Sequence, residues 1–403
     1  MHYMKKKVLI VSAVFPPEQV TSALMNYDLA VALSKKYDVT VLRPYPTRPI
    51  GMKFDYQGMD VEPFKTILVK SYTHPESQLV GRFRESIDFG KRCAKYIKKH
   101  HNEIAFIYNN PWQLFGVNII ARAANKYKIP YTIAIQDIYP ECLFTNKHYP
   151  ISVTSLATAL LKPIDKYYQK NAVFVRTISD EMADYLSATR KLPREKYLVV
   201  NNWQNDEDFG DLKPAPVTEK LRFVYTGSIN LHANVDVIIK AFAKANIPNS
   251  ELVIYGGGNQ KDVCVKMVEE MGLKNVGFGF VKRTEIPQVQ ADASALVLAL
   301  PTGNGNLCLP SKMTSYMLSG KPVIASVDQV SATARYIHDA DCGIAVVPDD
   351  IDSLADGFLR FAALPLEERL RMGNNSRSFA ETHLTRTINL KMVCDEIERI
   401  VNG

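Results

Sequence analysis

Short runs of aliphatic and β-branched residues alternate with helix-length amphipathic segments from one end of the chain to the other. In the first half the runs fall at residues 8–11, 39–42, 104–108, 131–135, 173–178 and 197–200. The pattern then restarts at 221–225, 251–255, 276–280, 295–299, 323–326 and 344–347. Runs this short and this continuously apolar read as parallel strands buried on both faces, with the helical segments as crossovers. The expected fold is α/β, two Rossmann-like doubly wound domains in series with a cleft between them. Residues 201–220 separate the two sets; they are polar and hold Asp206-Glu207-Asp208, Gly210, Pro214 and Pro216, the composition of a hinge. The first domain is therefore expected at residues 1–210 and the second at 211–385. The tail is helical from about Leu366 with a break at Leu384-Thr385, and its last helix, 386–403, is placed to pack back on the first domain.

One segment of the second half joins a helix start, a helix stop and a buried strand. Ser311 follows Pro310 as an N-cap, Gly320 ends the helix, and Pro322 opens the apolar run at 323–326. A helix that begins just past the strand at 295–299 stands where parallel α/β proteins hold anions. Lys312 lies in its first turn, where a cation opposes the helix dipole, so a phosphate partner explains it better than helix stability does. The alternative is a solvated lysine. Lys282 and Arg283 follow the run at 276–280 and either add positive charge to the same site or merely begin a helix. Gly256-Gly257-Gly258 lacks a full GxGxxG and reads as a tight strand-to-helix turn. The loop Thr302-Gly303-Asn304-Gly305-Asn306 suits phosphate through its amides, although flexibility alone also accounts for its glycines.

Asp137 stands past the run at 131–135, at the carboxyl edge of the first sheet. A carboxylate there either binds a ligand hydroxyl or acts as a base, or it caps the turn that Pro140 closes. Glu141 and Glu18 are weaker carboxylate candidates at the same edge. The histidines show no metal spacing. Cys93, Cys142, Cys264, Cys308, Cys342 and Cys394 lack CxxC spacing and read as thiols of a reducing compartment.

The net charge of +7 suits an acidic ligand or an anionic membrane surface. Phe83, Ile87, Ala94 and Ile97 form one helical stripe ringed by Arg82, Arg84, Lys91, Arg92, Lys95, Lys98 and Lys99. That is a basic amphipathic helix, suited to lipid headgroups or to docking on the sheet with its lysines solvated. No nucleic-acid recognition module accompanies the basic residues, so no nucleic-acid partner is expected. The basic amino end runs into a strand-length apolar segment and Pro16-Pro17, which reads neither as a signal peptide nor as a span of about 18 apolar residues. The expected location is cytoplasmic, peripheral on the inner face of the cell membrane.

Taken in order, Phe15-Pro16-Pro17-Glu18, Asp137-Ile138-Tyr139-Pro140-Glu141, Asn202-Trp203, Thr226-Gly227-Ser228, Gly256-Gly257-Gly258, the segment at 278–281 and the block from Pro310-Ser311-Lys312 to Pro322-Val323-Ile324-Ala325 cover nearly the entire chain. This series resembles retaining family-4 glycosyltransferases of the GT-B fold, and within them the branch that builds capsule and O-antigen repeat units. The resemblance implies sugar transfer with retention from a nucleotide sugar, UDP-linked, to a lipid-linked saccharide, without an obligatory metal or other cofactor. It implies a donor site at Gly227, Ser228, Phe280, Val281, Lys282, Arg283, Asn306, Ser311, Lys312 and Ser315, with the backbone at Phe280 and Val281 on the base. Asp137 is the implied catalytic residue, and Glu18, Glu141 and Asn202 belong to the acceptor side or the cleft. Three features depart from the family. Ser315 and Leu307 replace a Glu-x7-Glu pair whose second member binds ribose, Ser228 and Asn234 stand where a basic pair is usual, and Glu18-Gln19-Val20-Thr21 replaces a glycine pair. Two other readings share the fold: a nucleotide-sugar epimerase or hydrolase, and a non-catalytic scaffold that has lost the glutamate pair.

Overall fold

In strand β1 (Lys7–Ser12) the residues Val8, Leu9, Ile10 and Val11 are fully buried, which requires cover on both faces of the sheet. The structure is a computed structural model that describes residues 5–18, 20–47, 62–74, 79–143, 151–213, 219–303 and 309–403. It divides into two units, Met1–Val200 with Asn389–Gly403, and Asn201–Ile388.

In the first unit β1 is followed by α1 (Thr21–Ser34), β2 (Asp38–Arg43), β3 (Lys65–Leu68), α2 (Leu79–His100), β4 (Ile104–Asn110), α3 (Phe115–Lys126), β5 (Tyr131–Ala134), α4 (Ile151–Asn171), β6 (Val175–Thr177), α5 (Asp180–Arg190) and β7 (Tyr197–Val199). The strands form one parallel sheet in the order β3-β2-β1-β4-β5-β6-β7. β3 lies outside the strands expected from the pattern. It is a four-residue edge strand with no fully buried position, so it carries no two-sided apolar run. Helix α2 docks through a different face from the expected stripe. Ser86, Phe89, Gly90, Cys93 and Ile97 are buried, whereas Phe83, Ile87 and Ala94 are only partly covered. Gly90 explains the difference, because a Cβ there would lie 2.9 Å from the Cα of Gly116, so α2 and α3 meet backbone to backbone.

The second unit runs β8 (Leu221–Thr226), α6 (Val235–Ala245), β9 (Ser250–Tyr255), α7 (Lys261–Glu270), β10 (Val276–Gly279), α8 (Ile286–Ala291), β11 (Ala295–Ala299), α9 (Ser311–Leu318), β12 (Val323–Ser326), α10 (Ala332–Asp339), β13 (Gly343–Val346), α11 (Ile351–Ala363) and α12 (Leu366–His383). Its parallel sheet has the order β10-β9-β8-β11-β12-β13. Phe223 of β8 is buried against Phe358 of α11 and Phe242 of α6, with ring centroids 4.9 and 5.8 Å apart. The chain leaves helix at Leu384-Thr385 and continues as α13 (Arg386–Asn402), most of which joins the first unit. There Lys6 Nζ donates to the Val401 carbonyl at 2.7 Å and Lys36 pairs with Glu398 at 2.7 Å. In each sheet the strand order reverses beside the first strand, between β1 and β4 and between β8 and β11. Open α/β sheets bind ligands outside the carboxyl ends at such a point.

Candidate functional site

At the reversal point of the second sheet, β8 ends in Thr226-Gly227-Ser228. Gly227 has φ +140° and Gly256, past the end of β9, has φ +154°. A Cβ on Gly256 would sit 1.9 Å from the Gly227 carbonyl oxygen, and one on Gly227 would sit 2.0 Å from Lys312 Cε. The two loops therefore interlock through bare backbone, held by Gly227 N–H to the Tyr255 carbonyl at 2.9 Å and Ile229 N–H to the Gly257 carbonyl at 2.8 Å. This is the turn expected of the glycine triplet, and it also seats the loop on which Lys312 lies.

Lys312 is the second residue of α9. Its Nζ donates to the Tyr225 hydroxyl at 2.7 Å and lies 4.7 Å from the centre of that ring, and the same hydroxyl donates to the Ser228 carbonyl at 2.6 Å. Tyr225 is fully buried, and burial pushes its phenol up, so it stays a neutral donor to Ser228. Burial also pushes the Lys312 ammonium down, to about 8. Among the described residues no carboxylate pairs with it. A desolvated cation held on a phenol, with no anion of its own, at the start of a helix, has the electrostatics of a phosphate site.

The remaining donor-side candidates fall into three groups. Ser311 is the first helical residue, with Pro310 in the N-cap position and no side-chain cap, so the expected Ser311 cap is not formed. The Ser311 carbonyl instead accepts from Gln204 Nε2 at 3.4 Å. Ser315 Oγ donates to the Lys312 carbonyl at 3.0 Å and accepts from Gln290 Nε2 at 3.2 Å. Ser228 is exposed. Phe280, Val281, Lys282 and Arg283 follow the edge strand β10, where Phe280 is 81% exposed and both basic residues are exposed. β9 intervenes between them and β8, so they stand roughly 10 Å along the sheet from Gly227, a distance suited to a base more than to the same phosphates. Asn306 lies outside the described residues. Asn202 belongs to the second unit, not the first; its carbonyl accepts from Thr314 Oγ1 of α9 at 3.0 Å.

Gln290 is a residue that sequence reasoning missed. It is fully buried in α8, donates to Thr226 Oγ1 at 2.7 Å and to Ser315, and accepts from Ser319 Oγ at 2.7 Å. It thus ties the end of β8 to both turns of α9. Tyr316 of the same helix accepts from Thr226 N–H at 2.9 Å and donates toward the Val297 carbonyl at 3.3 Å. Gln290→Leu is expected to lower stability by about 1–3 kcal/mol in a urea titration, because the buried Thr226 and Ser319 hydroxyls and the half-buried Ser315 hydroxyl lose their common partner.

In the first unit Asp137 is exposed past β5, as a carboxyl-edge residue should be. Glu141 is spent elsewhere. Its oxygens accept from Arg190 Nη1 at 2.6 Å and Nη2 at 2.8 Å, while Arg190 Nη2 also donates to the Tyr139 carbonyl and its Nε to buried Asp165 at 2.5 Å. Burial pushes the Glu141 carboxyl up, but the Arg190 hydrogen bonds and charge outweigh it and hold the group below its usual range. Glu141 and Arg190 thus clamp the turn that carries Asp137. Glu18 is 3% exposed, with its oxygens accepting from Phe15 N–H at 3.3 Å and Thr47 N–H at 2.9 Å. It joins the loops after β1 and β2, and burial raises its pKa. Glu18 and Glu141 are positioning residues in this structure rather than open carboxylates. No cluster of three or more His, Cys, Asp or Glu fit to hold a metal occurs among the described residues.

Residues 208–379 match the family of glycosyl transferases group 1. Similar solved structures include HepE of Anabaena in complex with UDP, at 13% identity over 98% of this chain and 100% of that one, TM-score 0.70. Sucrose-phosphate synthase from Thermosynechococcus elongatus aligns at 14% identity over 98% and 99%, TM-score 0.74. WaaG, a glycosyltransferase involved in lipopolysaccharide biosynthesis, aligns at 16% identity over 97% and 99%, TM-score 0.66. These likenesses establish the GT-B type of fold, two parallel Rossmann-like sheets. No curated protein sequence matches the chain.

Proposed function

We propose that this chain is a retaining glycosyltransferase that moves a sugar from a nucleotide-sugar donor, UDP-linked, to a lipid-linked saccharide in surface polysaccharide biosynthesis. The observation that carries the reading is Lys312, a desolvated lysine without an acidic partner among the described residues, held by Tyr225 at the reversal point of the second sheet. The matched glycosyl transferase segment spans this site, and the similar Anabaena structure holds UDP. The likeness to WaaG supports a surface-polysaccharide role.

In this reading the second unit binds the donor. As the bond between sugar and diphosphate breaks, negative charge builds on the leaving phosphate, and a fixed ammonium with a helix dipole behind it stabilises that charge without reorganising. Ser315 and Gln290 hold the helix in place but leave no carboxylate at position 315 for ribose. Asp137 of the first unit serves the acceptor, by orienting a hydroxyl or taking its proton. Asp137→Asn is expected to lower turnover by about 10²- to 10⁴-fold with donor affinity unchanged, as loss of a general base does. Wild-type turnover would reduce Asp137 to a turn residue.

The scaffold reading is favoured by Ser315, whose hydroxyl is already engaged. Product analysis with UDP-sugars and lipid-linked acceptors separates the possibilities. Transfer yields nucleoside diphosphate and an elongated acceptor; epimerisation yields an intact isomeric donor; hydrolysis yields free sugar; a scaffold yields nothing.

A further inference from the structure

Helices α2, α3 and α4 lie side by side, with α3 packed between the other two. Together they carry twelve basic side chains against three acidic ones. Of those acids Glu85 and Asp165 are buried, and Asp88 pairs with Arg92 at 2.9 Å. The whole chain has a net charge of +7, so this one layer holds more than the entire excess and the remainder is slightly acidic.

Helix α4 adds an apolar feature that the core does not use. Leu156, Ala159, Leu160 and Pro163 recur at i, i+3, i+4 and i+7, the spacing of a core-facing stripe. Yet all four are exposed, Leu156 at 63% and Leu160 at 69%, while Asp165, Tyr168 and Gln169 make the buried side. No charged residue precedes Lys162 in α4, and Lys162, Lys166 and Lys170 follow it. On α2, Val80 is 81% exposed and lines a shallow groove with Phe83, Ile87, Arg84 and Lys91.

An exposed apolar stripe set in a field of one sign marks a surface that something covers. A second copy of this chain would set the basic layer against itself, which like-charge repulsion opposes. An anionic lipid surface complements the charge and accepts leucines at its acyl boundary. We propose that α4 inserts Leu156 and Leu160 into the interface of an anionic bilayer while the lysines and arginines of α2, α3 and α4 engage headgroups. The inference rests on the reading that the acceptor is lipid-linked, and it supplies the surface that brings the enzyme to it.

The test uses the full chain and vesicles of phosphatidylglycerol and phosphatidylcholine without acceptor. Leu156→Ser with Leu160→Ser should weaken partitioning about tenfold or more and leave the melting curve unchanged. Leu160→Trp should give added emission that shifts to the blue on vesicles and is quenched by brominated acyl chains. Replacing Lys91, Lys95, Lys98 and Lys99 by Gln should remove the preference for anionic over neutral vesicles. Partitioning that ignores the serine pair, or an introduced indole that stays unquenched on bound protein, overturns the proposal. So does self-association in solution that the serine pair abolishes, since a second copy would then be the cover. Insertion without transfer to any lipid-linked acceptor would instead defeat the acceptor reading and leave this surface standing.

Discussion

Lys312→Met is expected to weaken UDP binding by roughly 10- to 100-fold at neutral pH and to leave uridine binding unchanged, because the lost contact is a charge-assisted hydrogen bond to phosphate worth about 1.5–3 kcal/mol. The same substitution should raise the melting temperature. Burial holds the ammonium at about 8, below its ordinary 10.5, so the folded chain binds this proton less tightly than the unfolded chain does. The charged side chain therefore opposes folding below about 8, and that penalty fades as the pH rises through 10.5. Methionine keeps the length and removes the penalty. A lysine retained for the fold would behave the other way, with a lower melting temperature and equal losses for UDP and uridine. Calorimetric titration and a thermal melt on the same preparation decide between them.

Gly256→Ala should be strongly destabilising, and Gly257→Ala beside it nearly silent. At Gly256 the backbone has φ +154° and the new Cβ would lie 1.9 Å from the Gly227 carbonyl oxygen, so the loop must move. A loss on the order of 3 kcal/mol or more is expected, which for a unit of this size lowers the melting temperature by about 6–12 °C. Displacing Gly227 also displaces the seat of Lys312, so whatever protein remains folded should bind UDP poorly. At Gly257 a Cβ meets nothing within 4 Å. A change within about 0.5 kcal/mol is expected there. Equal effects at the two positions would show that the glycines serve chain flexibility and not the close approach of two loops.

The strands were legible because parallel strands covered on both faces need unbroken apolar runs, and the helix at 311–318 because Pro310, Gly320 and Pro322 bracket it. β3 was hidden for the opposite reason, since an edge strand opening on Lys65 needs no such run. The docking face of α2 was misread because Gly90 and Ser86 are buried for their smallness, a property that hydrophobic periodicity does not register. At the site Lys312 could be picked out by its place in a first turn, but its partner Tyr225 lies far back in the chain, in β8. Gln290 gave no signal at all. A glutamine in a helix reads as solvated until Thr226, Ser315 and Ser319 are brought around it. Glu141 misled in the converse way, since Arg190, the residue that engages it, sits at the end of α5 and matches no motif.

The claim at the centre of this account is that Lys312 meets the diphosphate, and proton uptake on UDP binding tests it most directly. The last phosphate proton leaves with a pKa of about 6, so near pH 9 the groups that titrate on binding are the lysine and the uracil N3–H, and uridine, which carries the same base, reports the second alone. UDP must raise the lysine's pKa from about 8. Calorimetry at about one unit above that value, in two buffers of different ionisation enthalpy, is predicted to show close to one proton more taken up per UDP than per uridine. Affinity should fall by up to about tenfold per pH unit above it. With Lys312→Met that excess of UDP over uridine should disappear. UDP binding by the unaltered chain with no proton uptake beyond that of uridine and a flat pH dependence would contradict the assignment.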